Sequence, residues 1–421
     1  MARKHLIIGC GSAALSALEK IRSIAPDDEV KLVTLEDCRP YSPTALPYLL
    51  SGRIEMDALW MRPEGYFEGL GTTLSRGKEV TGVSPSAKEV IYKDGGREQY
   101  DTLLIATGSE PLRPPIKGLE EAGFLGFRSF EDYLGLSEKL AGKKRVAVLG
   151  GGLIGMEVAI ALLETGHQVH IVEKEPRLLP LYFDAQAESL IREVFQREGA
   201  QLHTGLEATG VQKQKGVVKI SLSDGAAIEA DLLVTAVGVR TKAGFLASSG
   251  VKVNRGIVVD EQMQTSVPDI YAAGDAAEAP GFFGETAQNP ILPSAVAQGK
   301  AAGAAMAGRP EPYERWIPMN AFNFFGYMAF SVGLSMPQDK DVQVSTTSGR
   351  KSKSYGKLVL KDGRLTGAMF LNVEADPGVL IYLIRKKVDI SAYQQALLEK
   401  PREVSRYLMM ASEKREAAVL E

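Results

Sequence analysis

Cysteine is nearly absent: Cys10 and Cys38 are the only two in 421 residues. Two thiols cannot staple a secreted scaffold, and they are too few to build a cysteine-ligated metal or iron–sulfur centre within this chain. Histidine is almost as scarce, with His5, His167, His170 and His203, of which only 167 and 170 lie close in sequence. No metal site is expected. An excess of either charge is also missing, at −3 net. That removes the electrostatic case for nucleic acid or an anionic membrane surface as partner. Long apolar runs are missing too. The uncharged stretch Trp316–Gln338 is long enough to cross a bilayer, but it contains Pro318, Asn320 and Asn323 and is strongly aromatic. It reads as buried strands or an interface surface, and no membrane association is expected.

What is present is the composition of a soluble globular protein, 45% hydrophobic and 24% charged. The length asks for two or three domains. The opening stretch HLIIGCGSAALSAL (His5–Leu18) follows Arg3 and Lys4, so it has the outline of a secretory signal, and Ile7-Ile8-Gly9-Cys10 resembles a lipid-attachment box. The same letters give Gly9-x-Gly11-x-x-Ala14 after an apolar run. A strand over Leu6–Gly9, a helix over Ala13–Ile24 and a strand over Val30–Leu35 ending at Glu36 make a βαβ unit. In such a unit the first glycine makes the turn and the second admits a pyrophosphate to the backbone. The small third residue packs helix on strand, and the carboxylate binds ribose hydroxyls. A signal would leave the mature domain without its first strand, and too little apolar sequence precedes Cys10 for a lipobox. A cytoplasmic, nucleotide-holding chain is expected.

The unit repeats 141 positions later, from Gly9 to Gly150. A strand over Arg145–Gly150 leads into Gly150-Gly151-Gly152-Leu153-Ile154-Gly155-Met156-Glu157, a helix over Leu153–Thr165, and a strand over Gln168–Val172 ending at Glu173. A carboxylate at Glu173 accepts hydrogen bonds from the adenosine ribose and repels a 2′-phosphate, so NADH is expected over NADPH. Lys174 and Arg177 are the cations that could oppose this. Further strands are expected over Ala230–Val237 and Asp269–Ala273, and a small-residue helix over Leu292–Ala307. Past residue 313 a hairpin is expected, Lys357–Leu360 with Thr366–Leu371 around Asp362-Gly363. The charged stretch Glu413–Glu421 reads as frayed.

Two fingerprints, together with YDTLLIATGSEP (Tyr100–Pro111), TSVPDIYAAGDAAE (Thr265–Glu278), PYSPTALPYLLSG (Pro40–Gly52) and ILPSAVAQGKAAG (Ile291–Gly303), resemble the two-dinucleotide flavoprotein reductases of the pyridine nucleotide-disulfide oxidoreductase superfamily. The resemblance implies an α/β fold with two Rossmann-like dinucleotide-binding domains and a C-terminal α+β interface domain. The implied segments are 1–112 and 243–312 for FAD, 113–242 for NAD and 313–421 for the interface domain. It implies FAD at Gly9, Gly11, Ser12, Ala13, Ala14, Glu36, Arg39 and Thr44. Ala106, Thr107, Gly108, Gly274, Asp275, Pro293, Ser294 and Ala295 complete the FAD set. NAD(H) is implied at Gly150, Gly152, Leu153, Ile154, Gly155, Glu173 and Gly238. Glu157 would face the nicotinamide and help orient hydride transfer.

Members of this superfamily often carry a reactive cysteine beside the flavin. Here Thr44 occupies the position of the single-cysteine branch, and Cys10 and Cys38 read as structural. Without a thiol relay, disulfide, CoA-disulfide, mercuric and peroxidase chemistries are excluded. The electrons must pass to another protein, a small oxidant or oxygen. The whole chain is similar to the FAD-bearing NADH:acceptor subunits of 2-oxoacid dehydrogenase complexes of the phenylglyoxylate type. That likeness implies an iron–sulfur, ferredoxin-like electron-transfer subunit and thiamine diphosphate-dependent subunits as partners. A free-standing NADH:rubredoxin or ferredoxin reductase, a peroxide-forming NADH oxidase and a non-catalytic NADH sensor use the same residues. The stretch Arg350, Lys351, Lys353, Lys357 is either a docking patch for an acidic carrier or a solvated hairpin loop.

Overall fold

The computed structural model describes residues 2–142, 144–349 and 351–420, with side chains described as far as Lys414. Compactness divides the chain into two units, one of residues 1–112 with 239–316, the other of residues 113–238 with 317–421.

The first unit is built on a five-stranded parallel sheet in the order Ile270–Ala272, Thr102–Ile105, Lys4–Ile8, Glu29–Val33, Thr73–Ser75. The strand Thr102–Ile105 is buried along its whole length and Lys4–Ile8 is buried in all but its first residue. Near-continuous apolar letters are what a parallel sheet covered on both faces requires. Pairing of Ile7 with Leu32 on one side and with Leu104 on the other fixes the register. The segment that resembles a secretory signal is therefore a central strand and its helix. The helix Ser12–Ile24 packs on the helix Leu292–Met306 so closely that a Cβ at Gly299 would stand 2.2 Å from the carbonyl oxygen of Ala13. Only glycine permits that approach.

The second unit carries a four-stranded parallel sheet, ordered Gln201–Thr204, Gln168–Glu173, Arg145–Leu149, Leu232–Thr235. Of the strand expected over Ala230–Val237 the structure forms Leu232–Thr235, and Ala230 ends a separate strand. Ala227–Ala230 pairs antiparallel with Val217–Leu222, and after Asp231 the chain turns into Leu232–Thr235 beside Arg145–Leu149. Asp231 makes the break, because its carboxylate takes the Arg145 amide at 2.9 Å and the guanidinium at 2.9 Å.

A five-stranded antiparallel sheet completes this unit, ordered Met319–Phe324, Tyr327–Gly333, Arg364–Leu371, Ser354–Lys361, Gln343–Gly349. The expected hairpin is present, with Asp362 and Gly363 both at positive φ (51° and 73°), the conformation a two-residue turn between twisted strands demands. The uncharged aromatic stretch forms the first two of these strands, with Phe322, Phe324 and Phe330 fully buried. Phe195, on the helix Ala185–Arg197, stacks on Phe322 and Phe324 at 6.2 and 6.1 Å between ring centres. Among the described residues no helix is long and apolar enough to cross a membrane. A helix runs from Pro401 to Leu420, and Glu421 lies outside the described residues.

Two lysines of the basic stretch are held by carboxylates, while Lys351 is exposed. Lys357 is buried and its Nζ lies 3.0 Å from the Asp184 carboxylate, which also accepts the Tyr355 hydroxyl at 2.8 Å. Lys353 donates to Glu193 at 2.8 Å. Arg350 lies outside the described residues.

Candidate functional site

Both fingerprint turns follow from the same local geometry. Gly9 sits at φ +115° and Gly150 at φ +108°; a Cβ there would fall 2.2 Å from the Ala106 oxygen in the first case and 2.3 Å from the Ala236 oxygen in the second. Each amide is held by the neighbouring strand, Gly9 to Val33 and Gly150 to Val172, both at 2.8 Å. The glycines two positions further on do the opposite of packing tightly. Gly11 and Gly152 are extended N-cap residues of the two helices, and a Cβ on either would meet nothing within 4 Å.

Helix capping sets the nucleotide helices apart from three of the longer helices, although the short helices Leu46–Leu50 and Gln394–Glu399 also lack a side-chain cap. Ser129, Asp184 and Asp376 cap the helices that follow them with their own oxygens. The helices beginning at Ser12, Leu153 and Leu292 have no side-chain cap and no acidic residue in the first turn. An open glycine cradle before an uncapped helix N-terminus is the setting that binds a pyrophosphate. The residues present therefore fit a dinucleotide in each unit.

In the first unit three of these elements converge. A Cβ at Gly274 would stand 3.1 Å from the Cβ of Ala13 and 3.6 Å from that of Ala295. This brings together the first fingerprint helix, the turn that carries Asp275 and the first turn of the helix that includes Pro293, Ser294 and Ala295. Asp275 lies 3.5 Å from the Ser109 hydroxyl. The Thr107 hydroxyl donates to the Lys242 carbonyl at 3.0 Å, beside Gly108 at φ +65°. Ser12 and Ala14 lie in the first helical turn, whose Ala13 and Ala14 are buried.

Glu36 is exposed and accepts the Tyr41 hydroxyl at 2.6 Å. Arg39 lies over the Trp60 ring at 4.7 Å and 3.9 Å from Glu64. Thr44 is exposed on the short helical turn Pro43–Ala45, its hydroxyl 2.8 Å from that of Ser42. Burial pushes the Cys10 thiol up to about 12 and that of Cys38 up to about 11. Both stay protonated at neutral pH, and neither is an activated nucleophile.

In the second unit Glu173 is buried, and its two carboxylate oxygens accept the Gly151 amide at 2.6 Å and the Glu175 amide at 2.8 Å. The carboxylate is thus fixed in place at the fingerprint. Arg177, a possible phosphate ligand by sequence, donates to the Phe183 carbonyl at 3.4 Å. Leu153 and Ile154 open the helix. A Cβ at Gly155 would overlap the Gly150 oxygen at 2.0 Å, so this third glycine seats the helix on the strand. Gly238, at φ +114°, closes the segment. Among the described residues no three His, Cys, Asp or Glu side chains converge as a metal site. His170 and His203 instead bond to each other at 3.2 Å.

Glu157 is half-buried in the second helical turn, and desolvation alone pushes its carboxyl up to about 7. The folded value is the higher one, so the neutral form's contribution to stability is complete below the unfolded value near 4.5 and is lost as pH rises through 7. Glu157→Gln should therefore melt like the unsubstituted apoprotein at pH 4.5. By pH 8 it should be more stable, by up to about 3 kcal/mol. Melting curves across that range test this, and parallel curves would refute it.

Sequence reasoning missed three features. The loop after Glu173 folds back so that Leu179 donates to the Gly151 carbonyl at 2.8 Å. Gln288 and Gln298 each grip the Asp275 turn. For Gln298 a signal existed, since it is the one polar amide in the small-residue run SAVAQGKAAG.

Residues 3–301 match the pyridine nucleotide-disulphide oxidoreductase family, and residues 318–375 match the rubredoxin NAD+ reductase C-terminal domain. The chain is 35% identical over 410 residues to the NADH-dependent phenylglyoxylate dehydrogenase subunit epsilon of Aromatoleum evansii, covering 96% of this chain and 97% of that one. It is 30% identical over 383 residues to the rubredoxin-NAD(+) reductase of Pseudomonas putida, covering 89% and 97%. Among solved structures, the ferredoxin reductase for the CYP199A2 system from Rhodopseudomonas palustris superposes with a TM-score of 0.80 at 27% identity, covering 88% and 91%.

Proposed function

We propose, from the premise that the chain belongs to the pyridine nucleotide-disulphide oxidoreductase family and is an FAD-dependent NAD(H) oxidoreductase, that it exchanges electrons between NAD(H) and an iron–sulfur protein. Within that activity its place is the NAD-reducing subunit of a 2-oxoacid dehydrogenase assembly of the phenylglyoxylate type. Its partners there are an iron–sulfur subunit and thiamine diphosphate-dependent subunits. The observation that carries this is the end-to-end match to a named subunit of such an enzyme, with 97% of that chain covered.

The residue roles in this reading are those the family resemblance implies, and the geometry above is compatible with them. In the first unit Gly9, Gly11 and the turn Ser12–Ala14 hold the FAD pyrophosphate, with Glu36 and Arg39 at the adenosine end. Ala106–Gly108, Gly274 and Asp275 hold the middle of the cofactor, and Thr44 lies where other members have a thiol. The uncapped helix start at Pro293, Ser294 and Ala295 offers a positive dipole end to negative charge on the reduced cofactor. In the second unit Gly150, Gly152, Leu153, Ile154 and Gly155 hold the NAD(H) pyrophosphate and Glu173 its adenosine ribose. Gly238 and Glu157 lie on the nicotinamide side, where a carboxyl titrating near 7 can hold or release a proton. FAD, when bound, would exchange electrons singly with one partner and as a pair with the other, which is what would join a one-electron centre to a nicotinamide. Residues Lys4–Ile8 are a strand paired on both edges; a cytoplasmic location is part of this reading.

A second reading, a free-standing rubredoxin or ferredoxin reductase, is favoured by the match of residues 318–375. Purification from the native source with iron analysis separates the two. Co-purifying iron–sulfur subunits with 2-oxoacid-dependent NAD+ reduction are the expected result. A lone flavoprotein that reduces rubredoxin at enzymatic rates would overturn the subunit reading.

A further inference from the structure

The short helical turn Gly274–Ala276 carries Asp275 and is gripped at both ends by glutamine side chains. Gln298 accepts the Gly274 amide at 2.8 Å, and the Gln288 amide nitrogen donates to the Asp275 carbonyl at 2.7 Å. Each bond fixes which end of the side-chain amide faces the turn, because a backbone N–H needs an acceptor and a backbone carbonyl a donor.

The two glutamines are anchored differently. Gln298 is 1% exposed, and its nitrogen donates to the Ser294 hydroxyl at 3.1 Å, one turn back on its own helix. The same side chain thus ties the Asp275 turn to the helix start at Pro293–Ala295. Gln288 is half-buried and also donates to the Thr241 hydroxyl at 2.7 Å, which in turn donates to the Arg255 carbonyl at 2.9 Å. A buried amide in a helix of alanine and glycine is stable only when its hydrogen bonds are made, and those of Gln298 link the Asp275 turn, Ser294 and the Tyr313 hydroxyl.

We propose that Gln288 and Gln298 are positioning residues that set the Asp275 turn and the Leu292–Met306 helix start for FAD; this rests on the assignment of FAD to the first unit. Neither side chain need touch the cofactor. Gln298 acts by holding the amide that enters the turn, Gln288 by holding the carbonyl within it.

The test uses the full chain as apoprotein, with FAD binding followed by flavin fluorescence. Far-UV circular dichroism and melting report the fold. Gln298→Leu and Gln288→Met should each raise the FAD dissociation constant by about 10- to 100-fold and shift the visible band of the bound flavin. Gln298→Glu keeps an acceptor for the Gly274 amide but loses the donor to Ser294 and puts an acid in a buried site, so it too should weaken FAD binding, by less than Gln298→Leu. If Gln298→Leu does not fold, Gln288→Met decides, since it removes a donor from a half-buried side chain. Folded variants with unchanged FAD affinity and spectrum would overturn the clamp. Failure of the unsubstituted chain to bind FAD would instead overturn the assignment beneath it.

Discussion

Replacing Gly150 by alanine is expected to abolish reduction by NADH while FAD stays bound and reducible by dithionite. The reason is local. At φ +108° an L side chain is strained, and the new methyl would sit 2.3 Å from the Ala236 carbonyl oxygen. Backbone on both sides must move, and with it the amides at the start of the helix Leu153–Glu164. Strain of this kind costs on the order of 1–3 kcal/mol before the displaced site is counted, so NADH-driven flavin reduction should fall about 100-fold or more. The first fingerprint is in the other unit, which keeps its own glycine at the matching position. Stopped-flow reduction by NADH and by dithionite separates the effects. NADH rates within tenfold of the unsubstituted protein would show that the second fingerprint is not the NAD(H) site.

The second large effect is expected at Glu173. Its carboxylate is fixed by the Gly151 and Glu175 amides, so it meets the ribose already oriented. Glu173→Ala removes charged acceptors from the ribose hydroxyls and from two backbone amides together. NADH affinity should fall roughly 10- to 150-fold. NADPH should not take its place, because Arg177 is tied to the Phe183 carbonyl, leaving Lys174 as the nearby exposed cation. Dissociation constants for both nucleotides test this. Tighter NADPH than NADH binding in the variant would place the phosphate discrimination in the single charge of Glu173 alone.

The parts of this molecule legible in its sequence are those set by local stereochemistry. Gly9 and Gly150 are glycine because nothing else tolerates their φ and their approach to Ala106 and Ala236. Asp362-Gly363 marks its hairpin for the same kind of reason. What could not be read depends on partners far along the chain. Lys353 and Lys357 look like free positive charge until Glu193 and Asp184, 160 and 173 positions away, are folded against them. The break at Asp231 is likewise invisible until Arg145 lies beside it. Glu157 is picked out by the resemblance alone, and only the packing around it moves its titration to about 7. Gln298 stood out in its alanine-rich helix, but its bond to the Gly274 amide joins segments whose adjacency no local pattern specifies.

The first unit closes only when a late segment joins an early one, and that has a consequence for synthesis. The strand Thr102–Ile105 is made early, yet its outer neighbour Ile270–Ala272 follows only after the whole 113–238 segment has been translated. At ribosomal speeds that interval lasts roughly 10–30 s. Throughout it the nascent sheet presents an unpaired, largely apolar edge of the type that recruits foreign strands. The growing chain is therefore at its most vulnerable to misassociation between these two strands, and a pause or chaperone acting there would protect it more than one acting anywhere later.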